Sequence, residues 1–498
     1  NVVQSFRQQS GTFAEIGCGP FHRFGSGSAG LRTPRPTRNA AWWRQFVLVL
    51  LWVSAAHGQP VVINEILFHP LQTGFEPEAV REEYLELFNR SDHAVNLEGW
   101  RLDRGVGFTF PEVILEPMGC LVVAANRDAF LARYPDVARV VGDWIGTLSN
   151  NGEELRLVDA AGQPVASVRY ASEGDWALRQ RGPNDLNHRG WKWLAPADGL
   201  GMSLQLRNPD QDSGQGQNWM ATHATPGAEN LVYTRETPPL IGEVAHSPVI
   251  PRPTESVFVT SRLWDESRDT GSAQEVYRSD AVVPPPFTAA PMFDDGQHGD
   301  GVASDGIYGA TIPPHPNDTV VEFFLEAADR IGLTNRWPAL PLPASDQTNL
   351  PARIPNALYQ VDGSSYAGAQ PLYKLILLES ERAELASIPC TASQDSDAAM
   401  SGTFISVDSR GTECRYGCGF RNRGHLTRCA TPPNYRVDFP NDRPSHGQRT
   451  LNLNAVDPYV LVFGSILAHQ SGLAGYDCHA AAVRVNNANL ADPAGGMY

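Results

Sequence analysis

The sequence predicts a mainly β, multidomain chain, and three observations carry that reading. At 498 residues it exceeds one ordinary domain and fits about three. Its 42% hydrophobic content, with 39 Pro and 45 Gly, describes turn-rich domains with real cores. The apolar residues come in short branched and aromatic runs punctuated by Gly, Pro, Asn and Asp, while helical periodicity is scarce.

The first such runs are Val61–Leu67, Glu83–Asn89 and Leu97–Leu102, followed by strands at Gly119–Ala125, Glu153–Asp159 and Pro164–Tyr170. A short helix is expected at Arg127–Tyr134. Within Glu83–Asn89, Leu85 and Leu87 fall on one face and Glu86 on the other. As charged residues of a half-buried strand, Glu83 and Glu86 are expected to face solvent, although paired carboxylates also suit acid–base chemistry. Trp100 and Trp144 are expected as core anchors. This order of phrases resembles the lamin-tail domain, an immunoglobulin-like β-sandwich. The resemblance continues through Gly174-Asp175-Trp176, Gly199–Leu206, Asn218-Trp219 and Thr225–Ala228, with residues 177–197 as an insertion. It implies a binding and positioning module without catalytic activity.

Ahead of this stretch, Arg32, Arg35, Arg38 and Arg44 precede the apolar run Phe46–Val53, and Ala56-His57-Gly58 follows. The pattern predicts a leader over 1–58 with a signal peptide, its apolar region at about 46–56 and cleavage after Gly58. The run is short for a membrane span, which needs about 20 residues. Export to the cell surface or beyond is the expectation, with no transmembrane span after cleavage. Gly25–Gly30 satisfies a G-x-G-x-x-G pattern, but neither strand nor helix flanks it, so it predicts no nucleotide site.

The net charge is −16, and residues 1–58 hold six Arg and one Glu, which leaves −21 on the remainder. Such a surface repels nucleic acid and anionic lipid, so no nucleic-acid partner is expected. Cys390, Cys414, Cys418, Cys429 and Cys478 cluster late in the chain. In an exported protein they suit disulfides, while Cys414, Cys418, His425 and Cys429 can also be drawn as a zinc site.

Thr237-Pro238-Pro239 marks a linker into a second sandwich, expected over 232–362, with strands at Val257–Trp264 and Val320–Glu326. The run Val320–Asp329 resembles the penultimate strand of fibronectin-like or immunoglobulin-like modules. Between these strands Asp294, Asp295, Asp300 and Asp305 are spaced by flexible Gly. Four carboxylates in a bent loop can wrap Ca²⁺, and the same pattern also makes successive Asx turns.

The texture changes over 363–498. A strand at Leu372–Leu377 and a helix at Ser380–Ser387 are followed by Gly419–Gly424, Asn434–Phe439 and Leu451–Asn454. An apolar helix at Tyr459–Ser471 and a strand at Ala481–Asn486 complete the series. Arg423-Gly424, Tyr435–Phe439 and Leu451-Asn452-Leu453 resemble the opening of the CotH family of atypical secreted protein kinases. The family's paired lysines are replaced here by Pro433 and Asn434. The resemblance implies ATP and Mg²⁺ as cofactors in a full-length product, with Arg436, Arg423 and Lys374 as cations that would face the phosphates. The family's catalytic and Mg²⁺-binding aspartates would fall after Tyr498, so no catalytic residue is assigned and the chain as given is expected to be inactive.

The expected organisation is therefore a leader (1–58), a lamin-tail sandwich (59–231), a β-sandwich spacer (232–362) and an incomplete α+β kinase-like lobe (363–498). Two functions fit it: an exported surface protein that positions a CotH-like kinase, or a non-catalytic surface scaffold or adhesion protein. In either case the partner is an unidentified protein or cell-surface component.

Overall fold

A computed structural model describes residues 59–489 apart from 73, 75, 76, 268–269, 344–352, 390–394 and 425. The stretch expected to be a leader with a signal peptide, together with Cys390, His425 and Gly496-Met497-Tyr498, lies outside the described residues. The described residues belong to one compact unit and are mainly β.

The first sandwich pairs a six-stranded sheet with a four-stranded one. The larger runs in the order Trp219–His223, Met202–Leu206, Val61–Leu67, Tyr84–Asn89, Cys120–Ala124 and Val140–Gly142. The smaller runs Pro164–Tyr170, Glu153–Val158, Arg101–Arg104 and Phe108–Thr109. Alternation decides the faces. Leu85, Leu87 and Val123 meet Leu102, Leu155 and Val168 in the core, with Trp144 among them and Trp100 packed at its margin. Tyr84 and Val122 point the other way, onto helix α1 (Arg127–Arg133) through Phe130. The Asn126 side chain caps α1 by accepting the Ala129 N–H at 3.0 Å, and Asp128 sits in its first turn, where the helix dipole favours negative charge.

Both faces of the sheet are covered, which overturns the solvent placement of Glu83, on the side of Leu85, and of Glu86, on the side of Tyr84: both are 0% exposed. For Glu86 the cause is distant in sequence: the segment Thr225–Gly227, after strand Trp219–His223, closes over the outer face, while Glu83 is met by the loop at Leu148. Glu86 accepts from the Gly227 N–H at 2.6 Å and from Asn64 at 2.9 Å. Glu65, equally buried, accepts from Tyr84 Oη at 2.7 Å and Ser203 Oγ at 2.6 Å. Buried charge persists only where such donors meet it.

The second sandwich sets Leu240–Ser247, Val257–Trp264 and Ile307–Ile312 against a sheet built on Thr270–Ser279 and Val320–Asp329. In Val257–Trp264 buried and half-buried residues alternate along all eight positions. The third layer is a seven-stranded sheet in the order Thr450–Leu453, Tyr435–Asp438, Gly411–Asn422, Met400–Asp408, Leu372–Leu377, Ala482–Val485 and Ala488–Asn489. Helix α2 (Glu379–Ser387) contributes Leu385 to its core beside Phe420 and Val437. On its other face Ile376 and Ile405 pack on Val320 and Leu358 of the second sandwich. Helix α3 (Pro458–Gln470) starts with Pro458, a residue suited to a first helical turn. It keeps Val460 and Phe463 67% and 63% exposed.

The insertion at 177–197 is a hairpin of Leu178–Arg181 and Trp191–Leu194, and it reaches the third sheet. The Trp191 N–H donates to Ala399 O at 2.7 Å, and Arg179 donates to Gly417 O at 2.6 Å while lying over the Trp193 ring. Trp191 Nε1 and His188 reach Glu381 and Glu384 on α2 at 3.2 Å each. Gly190 permits the approach, since a Cβ there would stand 2.2 Å from the Ala399 nitrogen.

Candidate functional site

The sequence nominates three cations, and the structure brings two of them together. Arg436 lies on Tyr435–Asp438 and is the register partner of Arg421 on the neighbouring strand, so both project from one face. Arg423 follows two residues after Arg421. Burial lowers the Arg423 pKa, and the nearby guanidiniums of Arg421 and Arg436 lower it further, which marks the three as one positive cluster. Arg421 went unnoticed in the sequence, although its spacing of two from Arg423 in a strand was the available signal.

Arg436 holds Asp438 at 2.7 Å, Arg421 holds Asp397 at 2.6 Å, and Arg428 joins Asp397 at 2.7 Å. Arg423 donates to the Asn454 side-chain oxygen. Three guanidiniums thus share two carboxylates and Arg423 has only an amide partner, leaving a positive surplus beside these strands of an otherwise acidic chain. Such a surplus can receive phosphate or carboxylate oxygens, with guanidinium forks suited to bidentate contact.

Lys374 does not join them. It is 1% exposed and donates to Asp362 at 2.5 Å and to Asn487 at 2.6 Å. Burial lowers its pKa, opposed by Asp362. Burial would raise Asp362, but the hydrogen bonds from Lys374 and Ser364 prevail and hold it at about 2. Arg484 adds a second cation to Asp362 at 3.1 Å. The group ties the third sheet to the end of the second sandwich, and a phosphate would have to displace these partners to reach Lys374.

A cavity of about 720 Å³ opens where the second sandwich, α2 and the third sheet meet. Asp280 and Asp318 line it from one side, Arg382, Arg428 and Tyr435 from the other, and none of Arg423, Arg436 or Lys374 does. Its cations already have partners: Arg382 holds Glu379 and Arg428 holds Asp397.

In the Asp-Gly loop the carboxylates fold the backbone. Asp294 accepts from the N–H groups of Ser304 at 2.6 Å and Gly306 at 2.9 Å. Asp300 accepts from those of Asp295 and Gly296 at 2.7 Å and His298 at 2.8 Å. Asp305 accepts from the Ile307 N–H. Among the His, Cys, Asp and Glu side chains of the described residues, only Asp295, His298 and Asp300 gather three ligand atoms within 4.8 Å; Asp294 and Asp305 stand outside that group. A cation fits this loop through those three alone.

Cys120, Cys414, Cys418 and Cys478 are free thiols, so neither the disulfide nor the zinc expectation is met among them. Burial raises the thiol pKa of Cys414 to about 12, which keeps it protonated and unreactive. Among the described residues no helix is long and apolar enough to cross a membrane.

No curated protein matches the chain. The closing strands Met202–Leu206 and Trp219–His223 extend the first sheet beyond the family match. That match, to the Lamin Tail Domain, covers residues 54–172 and identifies most of the first sandwich.

Proposed function

We propose that the chain is an exported surface protein in which the lamin-tail sandwich and its spacer hold a CotH-like lobe in fixed orientation. In this reading Arg421, Arg423 and Arg436 contact the phosphates of ATP, and phosphoryl transfer belongs to the full-length product. The arginine cluster is the observation that supports it. Positioning and charge neutralisation are the main demands of phosphoryl transfer, and the cluster supplies the cationic part.

Displacement of a fluorescent ATP analogue, with Mg²⁺ present, tests the assignment. Replacing both Arg423 and Arg436 by Ala should weaken binding by about 10-fold or more, because hydrogen bonds to charged groups contribute about 1.5–3 kcal/mol each. Nucleotide binding indifferent to both substitutions would remove the cluster from the site.

The enclosure of Lys374 by Asp362 and Asn487 favours a second reading, a non-catalytic surface scaffold. Incubation of the full-length product with labelled ATP and Mg²⁺ separates the two. Transfer to itself or to an acidic acceptor protein supports the kinase, and its absence supports the scaffold.

A further inference from the structure

Three glutamates from separate parts of the first sandwich converge on one tripeptide, Leu148-Ser149-Asn150. Glu83, just before strand Tyr84–Asn89, accepts the Leu148 N–H at 2.9 Å. Glu153, at the start of its strand, accepts the Ser149 N–H at 2.7 Å. Glu78, from the loop before that first strand, accepts from Asn150 Nδ2 at 2.9 Å. Each contact uses one oxygen of its carboxylate. Glu78 Oε1, Glu83 Oε1 and Asn150 Oδ1 are all buried without a hydrogen-bond partner. Glu83 is the decisive member, being 0% exposed with one oxygen unpartnered. Burial raises its pKa to about 8, and the charges of Glu78 and Glu153 push in the same direction.

A buried acceptor without a donor costs about 1–3 kcal/mol, more when charged. Here three such oxygens belong to side chains bound to or within one tripeptide, and every one can only accept once the carboxylates are ionised. Among the described residues no cationic side chain is bonded to them. From this unsatisfied set we infer that Glu78, Glu83 and Asn150 form a Ca²⁺ site in the lamin-tail sandwich, with Glu153 adding negative charge beside it. Hard oxygen ligands, two of them carboxylates and one an amide, suit Ca²⁺, which accepts irregular geometry and completes its shell with water. Mg²⁺ demands near-octahedral ligands at shorter distance and suits such a set less. The site is separate from the arginine cluster and from the Asp-Gly loop, and does not depend on the proposed phosphoryl chemistry.

Calorimetric titration of the full chain with Ca²⁺, paired with thermal melts in Ca²⁺ and in chelator, tests the site. Ca²⁺ should raise the melting temperature. Glu83→Gln and Glu78→Gln should each weaken Ca²⁺ binding by about 10-fold or more, a scale lost even when only an outer-shell partner is removed. Both replacements preserve shape, and the melt in chelator shows directly whether each variant folds. Asp300→Asn, in the other loop, should leave the response intact. The proposal is overturned if Ca²⁺ leaves the melt unchanged, if the response survives both Gln variants, or if Asp300→Asn alone abolishes it.

Discussion

Glu275 lies between Ala273 and Tyr277 on a strand whose alternate residues face the second sandwich core. It is fully buried, and neither carboxylate oxygen has a partner. Burial raises its pKa to about 8, against about 4.3 for an unfolded glutamate. The folded state therefore keeps a proton that the unfolded state gives up. The associated stability is complete below the unfolded pKa and disappears as pH rises through the folded one. The free energy of unfolding, followed by urea denaturation, should fall from about pH 5 to pH 8, and Glu275→Gln should shrink that fall by an amount on the order of a few kcal/mol. A wild-type-like pH profile in the variant would show that Glu275 ionises freely. The buried glutamates also show where sequence patterns stop informing. Leu85 and Leu87 marked one face of their strand correctly. Nothing within Glu83–Asn89 announces that helix α1 and the segment around Gly227 cover the other.

At the scale of elements, strands and helices were largely legible because each writes its own period. Val61–Leu67 and Pro164–Tyr170 run as the pattern predicts, and α1 begins at its Asn126 cap. The 177–197 insertion was legible only as an interruption, since its aromatic residues pack on strands some two hundred positions away. The Asp-Gly loop was readable in two ways, and the structure shows Asp294 and Asp300 accepting from backbone N–H groups that build its turns. Within the candidate site, Arg423 and Arg436 were within reach of the sequence. The isolation of Lys374 was not, because Asp362 and Asn487 belong to other elements. The hairpin carries a direct prediction. Gly190→Ala drives a methyl group into the Ala399 backbone, so urea denaturation should show a loss of about 1–3 kcal/mol, the usual cost of overpacking. Unchanged stability would mean that the hairpin can lift from its seat without penalty.

Across the whole molecule, the three layers share side chains as well as boundaries. Tyr416 of the third sheet enters the second sandwich core and bonds His246 at 2.5 Å. Asp175 of the first sandwich meets Arg443 of the third layer, and its N–H donates to Asp442 at 3.0 Å. Linked domains normally move independently unless the interface is large and apolar. Here the contacts are dense and buried, so calorimetry should show one cooperative transition for the described body. Resolved transitions for the sandwiches and the last sheet would show that the contacts are too weak to couple them.

The long reach of the hairpin also bears on the order of events during synthesis. Arg179 and Ser401 are separated by 222 positions, and the chain emerges from its amino end. The first sandwich can complete its own core while the hairpin still has nowhere to dock. Until Ala399 and Gly417 have been made and folded, Arg179, Trp191 and Trp193 remain accessible to chaperones and proteases. Docking of the hairpin is thus a record of completion, sealing the earliest domain only after the last sheet has formed.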